Sequence, residues 1–175
     1  MRRELSDLDT RTLVLMRHAH SAHPGGVRDH DRPLTDDGRA DAAVAGNWLR
    51  AHLEPVQQVL CSTATRTRQT ALATGLDVPT RPDAGLYDAS SEDVLDPVRA
   101  TGDDIRTLLV VGHAPGVPSL AAQLVDTATA DGQQAADELL SRFPTAALAV
   151  LRFQGPWSGL CDGAAQLAFF HIARA

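Results

Sequence analysis

Strand-patterned and helix-patterned segments take turns along almost the whole chain, and that alternation narrows the choice of fold more than any other feature. Arg11–Ala19, RTLVLMRHA, reads as a strand. A polar, Gly/Pro-rich loop follows over Ser21–Leu34, flexible by its composition. Thr35 before Asp36 and Asp37 marks a helix N-terminus, and Ala40, Ala43, Val44, Asn47, Trp48 and Ala51 recur at helical spacing to about Leu53. Val56–Cys61 is a second strand; Ser62 or Thr63 is placed to cap the helix ATRTRQTALAT, which Gly75 stops. After a proline-punctuated stretch, Ser90 or Ser91 caps SEDVLDPVRA, a helix that Pro97 must kink or shorten. Thr107–Val111 is the third strand, VPSLAAQLV and QQAADELLSRF are helices, and Ala146–Phe153 and Gln166–Ile172 close the pattern as strands. Such alternation predicts an α/β fold, a three-layer α/β/α sandwich with a mainly parallel sheet covered on both faces. The 175 residues fit one domain, residues 1–175, that needs no disulfide or metal staple.

In sheets of this kind ligands sit beyond the carboxyl ends of the strands. Arg17-His18 follows the first strand, Arg66 the second and His113 the third, so three separate segments are expected to meet in one pocket. Burying unpaired cations costs several kcal/mol, and a strand tip that carries Arg-His therefore has something to bind. Every one of the sixteen basic side chains is arginine. Without lysine there is no Walker-type phosphate loop, no Schiff base and no pyridoxal chemistry. An anion site must be built from arginine, histidine and backbone amides. A guanidinium presents a flat, permanently charged fork to a phosphoryl group, and Arg17 and Arg66 suit that role. A histidine held neutral between them keeps one ring nitrogen free to attack phosphorus. His113 is placed to donate to a phosphate oxygen as charge builds.

The motifs themselves resemble those of the histidine phosphatase superfamily, the phosphoglycerate mutase-like proteins. LVLMRHAHS is similar to its Arg-His signature and RPLTDDG to the segment that follows. STATRTRQT matches Ser-x-x-x-Arg-x-x-Gln-Thr, and VVGHAPG resembles the second-histidine motif. The short length and DHDRPLT are closest to the small SixA branch, the phosphohistidine phosphatases. The resemblance implies a phosphatase needing neither metal nor cofactor, with His18 as nucleophile and Arg17, Arg66 and His113 binding the phosphoryl group. It implies phosphohistidine on a protein as substrate, a small phosphate ester being the alternative. Many members also use a carboxylic acid to protonate an ester leaving group. The candidates are Asp88 and Glu92, neither in a compelling motif, and a weak acid favours phosphohistidine, whose imidazole leaves readily.

Other readings account for less. Cys61 has four residues before Arg66 and six before Arg68, missing the five a cysteine phosphatase needs, and both Cys61 and Cys161 read as buried thiols. His20, His23 and His30 share a loop with Asp29 and Asp31, raising a metal site, but their spacing is irregular; Arg28 and Arg32 are placed to rim the pocket. Arg68 reads as solvated. A phosphate-sensing module without turnover would have no need of an aimed imidazole. The net charge of −6 and the absence of basic-aromatic stretches argue against nucleic acid as a partner, and apolar runs no longer than strands argue against a membrane. The N-terminal MRRELSDLDTR has no apolar leader, so a cytoplasmic protein is expected.

Overall fold

Leu13, Val14, Leu15 and Met16 are sealed from solvent on both faces of their strand, and so are Leu108 to Val111. A strand with no polar face has to lie between two layers of helix. The computed structural model describes residues 9–175, so most of the expectation about a leader lies outside the described residues. Its strands are β1 (Thr10–Arg17), β2 (Gln58–Ser62), β3 (Thr80–Asp83), β4 (Thr107–Gly112), β5 (Ala147–Gln154) and β6 (Gln166–Ile172). Its helices are α1 (Asp36–His52), α2 (Thr65–Ala73), α3 (Ser91–Arg99), α4 (Gly116–Leu124) and α5 (Ala130–Ser141). The sheet order is β3-β2-β4-β1-β5-β6. The first four strands pair in parallel, and β5 alone runs against the rest.

The pleat divides the core in two. Leu13, Leu15, Leu60, Leu108 and Val110 pack with Val94, Leu95, Val98 and Leu120 from α3 and α4 and Leu139 from α5. Val14, Met16, Val59, Cys61, Leu109 and Val111 pack on the other face with Ala42, Ala45 and Leu49 of α1 and Ala71 of α2. Each of the larger aliphatic side chains buried here contributes about 1.5–3 kcal/mol of transfer free energy. The three-layer α/β/α sandwich with a mainly parallel sheet expected from the alternation is the one observed. Among the described residues no helix is long and apolar enough to cross a membrane.

Several local expectations need correction. The sequence reading has no strand at Thr80–Asp83, which pairs with β2 at the sheet edge. Its residues TRPD are largely exposed, and an edge strand tolerates Pro82, so neither apolar periodicity nor composition marks it. Thr107–Gly112 is consequently the fourth strand, yet it lies between β2 and β1. Neither Ser62 nor Thr63 is the N-cap of α2: Ala64 holds that position without a side-chain bond. Ser90 does cap α3, in a reciprocal box with Asp93, and Pro97 lies inside that helix, which runs only two residues further. Cys61 is buried but Cys161 is exposed.

The loop over Ser21–Leu34 is tied down despite its composition. Ser21 bridges to Leu34, Arg32 Nε donates to the Ala22 carbonyl at 2.9 Å, and Leu34 N donates to Gln69 Oε1 at 2.7 Å. Thr35 caps α1 by accepting from Gly38 N at 3.0 Å while its own N–H donates to the His20 carbonyl. That places the first turn of α1 against His20: a Cβ on Gly38 would stand 2.1 Å from the His20 carbonyl oxygen. Gly38→Ala should therefore destabilise the protein by about 3 kcal/mol, at the upper end of overpacking costs, since both opposing groups are backbone. Urea denaturation measures it, and a change below about 0.5 kcal/mol would show that the α1 start moves freely.

Candidate active site

The carboxyl ends of β2, β4 and β1 lie side by side, because β4 pairs with both of the others. At the end of β1, His18 N donates to the Gly112 carbonyl at 3.0 Å, and Ala146 N donates to the His18 carbonyl at 3.1 Å. The His18 ring is fixed as well. Its Nδ1–H donates to the Ala19 carbonyl at 2.8 Å, which assigns the proton to Nδ1 and leaves a lone pair on Nε2. Ala19 N in turn donates to Thr70 Oγ1 at 3.0 Å, and that hydroxyl donates to the Arg66 carbonyl at 2.7 Å. Thr70 thus couples the His18 loop to the helix bearing Arg66, while Gln69 holds Leu34.

Arg17, His18, Arg66 and His113 line one cleft of about 350 Å³, together with His20, Ser21, His23, Asp29, Arg32, Tyr87, Asp88, Ala114 and Thr145. Among the described residues, three guanidiniums face this space. Arg17 is anchored through Nη1 to the Phe143 carbonyl at 3.0 Å, and its Nε has no protein partner. Arg66 is only 6% exposed and reaches the Asp29 loop. Arg32 Nη2 donates to Ser21 Oγ at 2.7 Å and approaches His23 Nε2 at 2.6 Å. The His18 and His113 rings stand 5.3 Å apart, and Tyr87 meets His113 edge-on at 5.5 Å.

Burial pushes the His18 imidazole down to about 4, with Arg66, Arg17 and Arg32 acting in the same direction against the Ala19 carbonyl. Burial also pushes His113 down to about 3, helped by His18 and Arg66. Both rings are neutral at pH 7. Ser62 Oγ accepts from Ala64 N at 3.3 Å and lies 2.8 Å from His113 Nε2. Ser62 Oγ thus holds the His113 ring through Nε2, while Nδ1 is buried without a protein partner. Ser62, read from the sequence as a possible cap, instead orients the second histidine.

The remaining candidates scatter. Asp88 lines the cleft in a left-handed backbone conformation, φ 55°, whereas Glu92 lies outside it, ion-pairing with Arg99 at 3.9 Å. Arg28 is 85% exposed, pairs with Asp31, and is absent from the cleft wall. His20, His23 and His30 diverge to Thr35, Arg32 and Thr63 rather than converging on one point. Arg68 is exposed, as read from the sequence. Asp29 and Tyr87 were not singled out for the cleft. Asp29 Oδ2 accepts from Tyr87 OH at 2.7 Å and from Arg66 Nη2 at 3.0 Å, contacts 58 and 37 residues apart that no local pattern signals.

Residues 13–96 match the model of the histidine phosphatase superfamily (branch 1). A SixA structure from Nakamurella multipartitia, assigned as a phosphohistidine phosphatase, superposes with a TM-score of 0.86 at 42% identity over 95% of this chain and 98% of that one. The chain belongs to the histidine phosphatase superfamily. Rv1276c of Mycobacterium tuberculosis is 46% identical over 159 residues, 91% of this chain and all of that protein. The phosphohistidine phosphatase SixA of Escherichia coli is 29% identical over 124 residues, 64% of this chain and 73% of its own length. With this membership the protein is a phosphatase, and its cleft is the place to look for phosphoryl chemistry.

Proposed function

We propose that this chain is a metal-independent phosphohistidine phosphatase that works on phosphohistidine carried by a protein, with His18 as the nucleophile. The observation that carries the reading is the His18 ring: Nδ1 is committed to the Ala19 carbonyl, and Nε2 is the free nitrogen of a residue lining an arginine-walled cleft. In the first step the Nε2 lone pair forms a bond to phosphorus as the P–N bond of the substrate breaks. The departing imidazole nitrogen keeps that electron pair and takes its proton from solvent. Water then attacks the phosphorus on His18, gives up a proton, and releases inorganic phosphate with Nε2 restored. Arg17 and Arg66 offset the charge on the phosphoryl oxygens in both steps, Arg32 adds to their field, and His113 from the same cleft donates to one oxygen. Charge compensation by guanidiniums is what a metal would otherwise supply.

Asp88 in the cleft wall favours a second reading, a small phosphate ester whose alkoxide it would protonate. Rates on a phosphohistidine-bearing protein and on a panel of small esters, measured side by side, distinguish the two. The expected result is preference for phosphohistidine. Asp88→Ala should leave that reaction within about threefold while lowering any ester hydrolysis by about 10²-fold, the lower end of general-acid contributions. Loss of phosphohistidine cleavage in Asp88→Ala comparable to that in His18→Ala would overturn the assignment.

A further inference from the structure

One face of the Arg66 guanidinium is already taken. Nη1 donates to the Asp29 backbone carbonyl at 2.6 Å and Nη2 to Asp29 Oδ2 at 3.0 Å. The carboxylate also accepts from Arg32 Nη1 at 2.8 Å through Oδ1, and from Tyr87 OH at 2.7 Å through Oδ2. Hydrogen bonds from Tyr87, then Arg32 and Arg66, hold Asp29 well below the usual carboxylate range, so it is an anion at any working pH. Two of the five N–H groups of Arg66 are engaged, Nε–H is buried without a partner, and one proton on each terminal nitrogen remains for a ligand.

A carboxylate is an unexpected wall for a site whose ligand is itself a dianion. It lies on Arg66, one of the two guanidiniums that a phosphoryl group would use, and on Arg32, whose field would add to theirs, and as an anion in the same cleft it repels that group. Such repulsion is useful to a hydrolase, because interactions that hold inorganic phosphate as tightly as the transition state add nothing to turnover and delay product departure. Resting on the assignment of this cleft to phosphoryl transfer, we propose that Asp29 sets the charge of the site: its carboxylate shares Arg66 and Arg32 and so weakens the hold on inorganic phosphate. Tyr87 keeps that carboxylate in place through its hydroxyl, with its ring beside Arg66, 5.9 Å from the guanidinium carbon.

Charge and placement are separable at this position. The backbone carbonyl of residue 29 holds Arg66 Nη1 whatever the side chain, and asparagine retains an oxygen for one of the guanidiniums. Asp29→Asn therefore removes the anion with little loss of geometry, and Asp29→Glu keeps it. Titration calorimetry of inorganic phosphate into wild type, Asp29→Asn, Asp29→Glu and Arg66→Ala reads the effect without turnover. The Kd of Asp29→Asn should fall by about tenfold, the size expected for one charge at this separation in a half-screened site. Asp29→Glu should stay within about threefold of wild type, and the product-inhibition constant in steady-state assays should follow the Kd, with kcat rather than KM changing. An unchanged Kd in Asp29→Asn, or one weakened toward that of Arg66→Ala, overturns the proposal, the latter by showing that the carboxylate serves only to hold arginine. Failure of the cleft assignment looks different: wild type and Arg66→Ala would then bind phosphate equally poorly. Absence of phosphohistidine cleavage with the expected order of Kd values would count against the substrate alone and support the role of Asp29.

Discussion

His18→Ala should abolish turnover, lowering kcat by at least about four orders of magnitude, because deleting the proposed nucleophile removes the covalent route itself rather than one contribution to it. On the proposed mechanism, what survives is direct attack by water on a phosphoryl group held by Arg17, Arg66 and Arg32. The residual rate should therefore saturate with substrate at a KM close to wild type, since the anion-binding groups are untouched. His18→Asn is the stricter variant: its amide N–H can still donate to the Ala19 carbonyl, preserving the local backbone while offering no lone pair at the Nε2 position. Rapid quench with a ³²P-labelled donor should trap acid-labile, base-stable phosphate on wild type and none on either variant. Labelling that persists in His18→Asn, or turnover within tenfold of wild type, would place the nucleophile elsewhere. Circular dichroism on both variants separates loss of chemistry from loss of fold.

The parts of this molecule legible in the sequence are those written by periodicity or by charge in an apolar setting. Unbroken apolar runs over Leu13–Met16 and Leu108–Val111 give the central strands, and the arginine and histidines at their tips stand out because a buried cation is costly. Arg17, His18, Arg66 and His113 come to one cleft because β2, β4 and β1 are neighbours, although reading Thr107–Val111 as a third strand miscounts the chain. β3 escaped because an exposed edge strand has no apolar face to reveal it. Asp29 and Tyr87 escaped for a different reason. Their significance lies in contacts across 37 and 58 residues, and an aspartate in a polar loop looks solvated until the fold brings Arg66 to it. The same holds for Ser62, whose hydroxyl near a helix start reads as a cap and instead meets His113 across 51 residues. Loop stiffness was illegible too, since some of the bonds that tie Ser21–Leu34 come from Gln69 and Arg66 on α2.

Acid should destabilise the folded protein well before its carboxylates protonate. His18 and His113 are held neutral in the fold, pushed down to about 4 and about 3 chiefly by burial, whereas in the unfolded chain each titrates near the ordinary value of 6.5. Between those limits the unfolded state binds protons that the folded state refuses, so stability rises with pH across the interval and falls as pH drops through 6.5 toward 4. The contribution is fully present above pH 6.5. Each imidazole gives a slope of up to about 1.4 kcal/mol per pH unit, and the pair together should cost roughly 4 kcal/mol between about pH 7 and pH 5. That figure requires only that both rings stay neutral at pH 5. His171, lowered by burial and by His52, acts with the same sign. Asp29, Asp31 and Asp93 are lowered, so their stabilisation persists above the ordinary carboxylate value and is lost only below it, outside this window. Urea denaturation midpoints at pH 7, 6 and 5 measure the slope, and a His18→Asn/His113→Asn double variant should lose most of it. A wild-type curve flat from pH 7 to pH 5 would mean that these two rings titrate in the fold as they do in the unfolded chain, and an equal slope in the double variant would mean that other groups carry it.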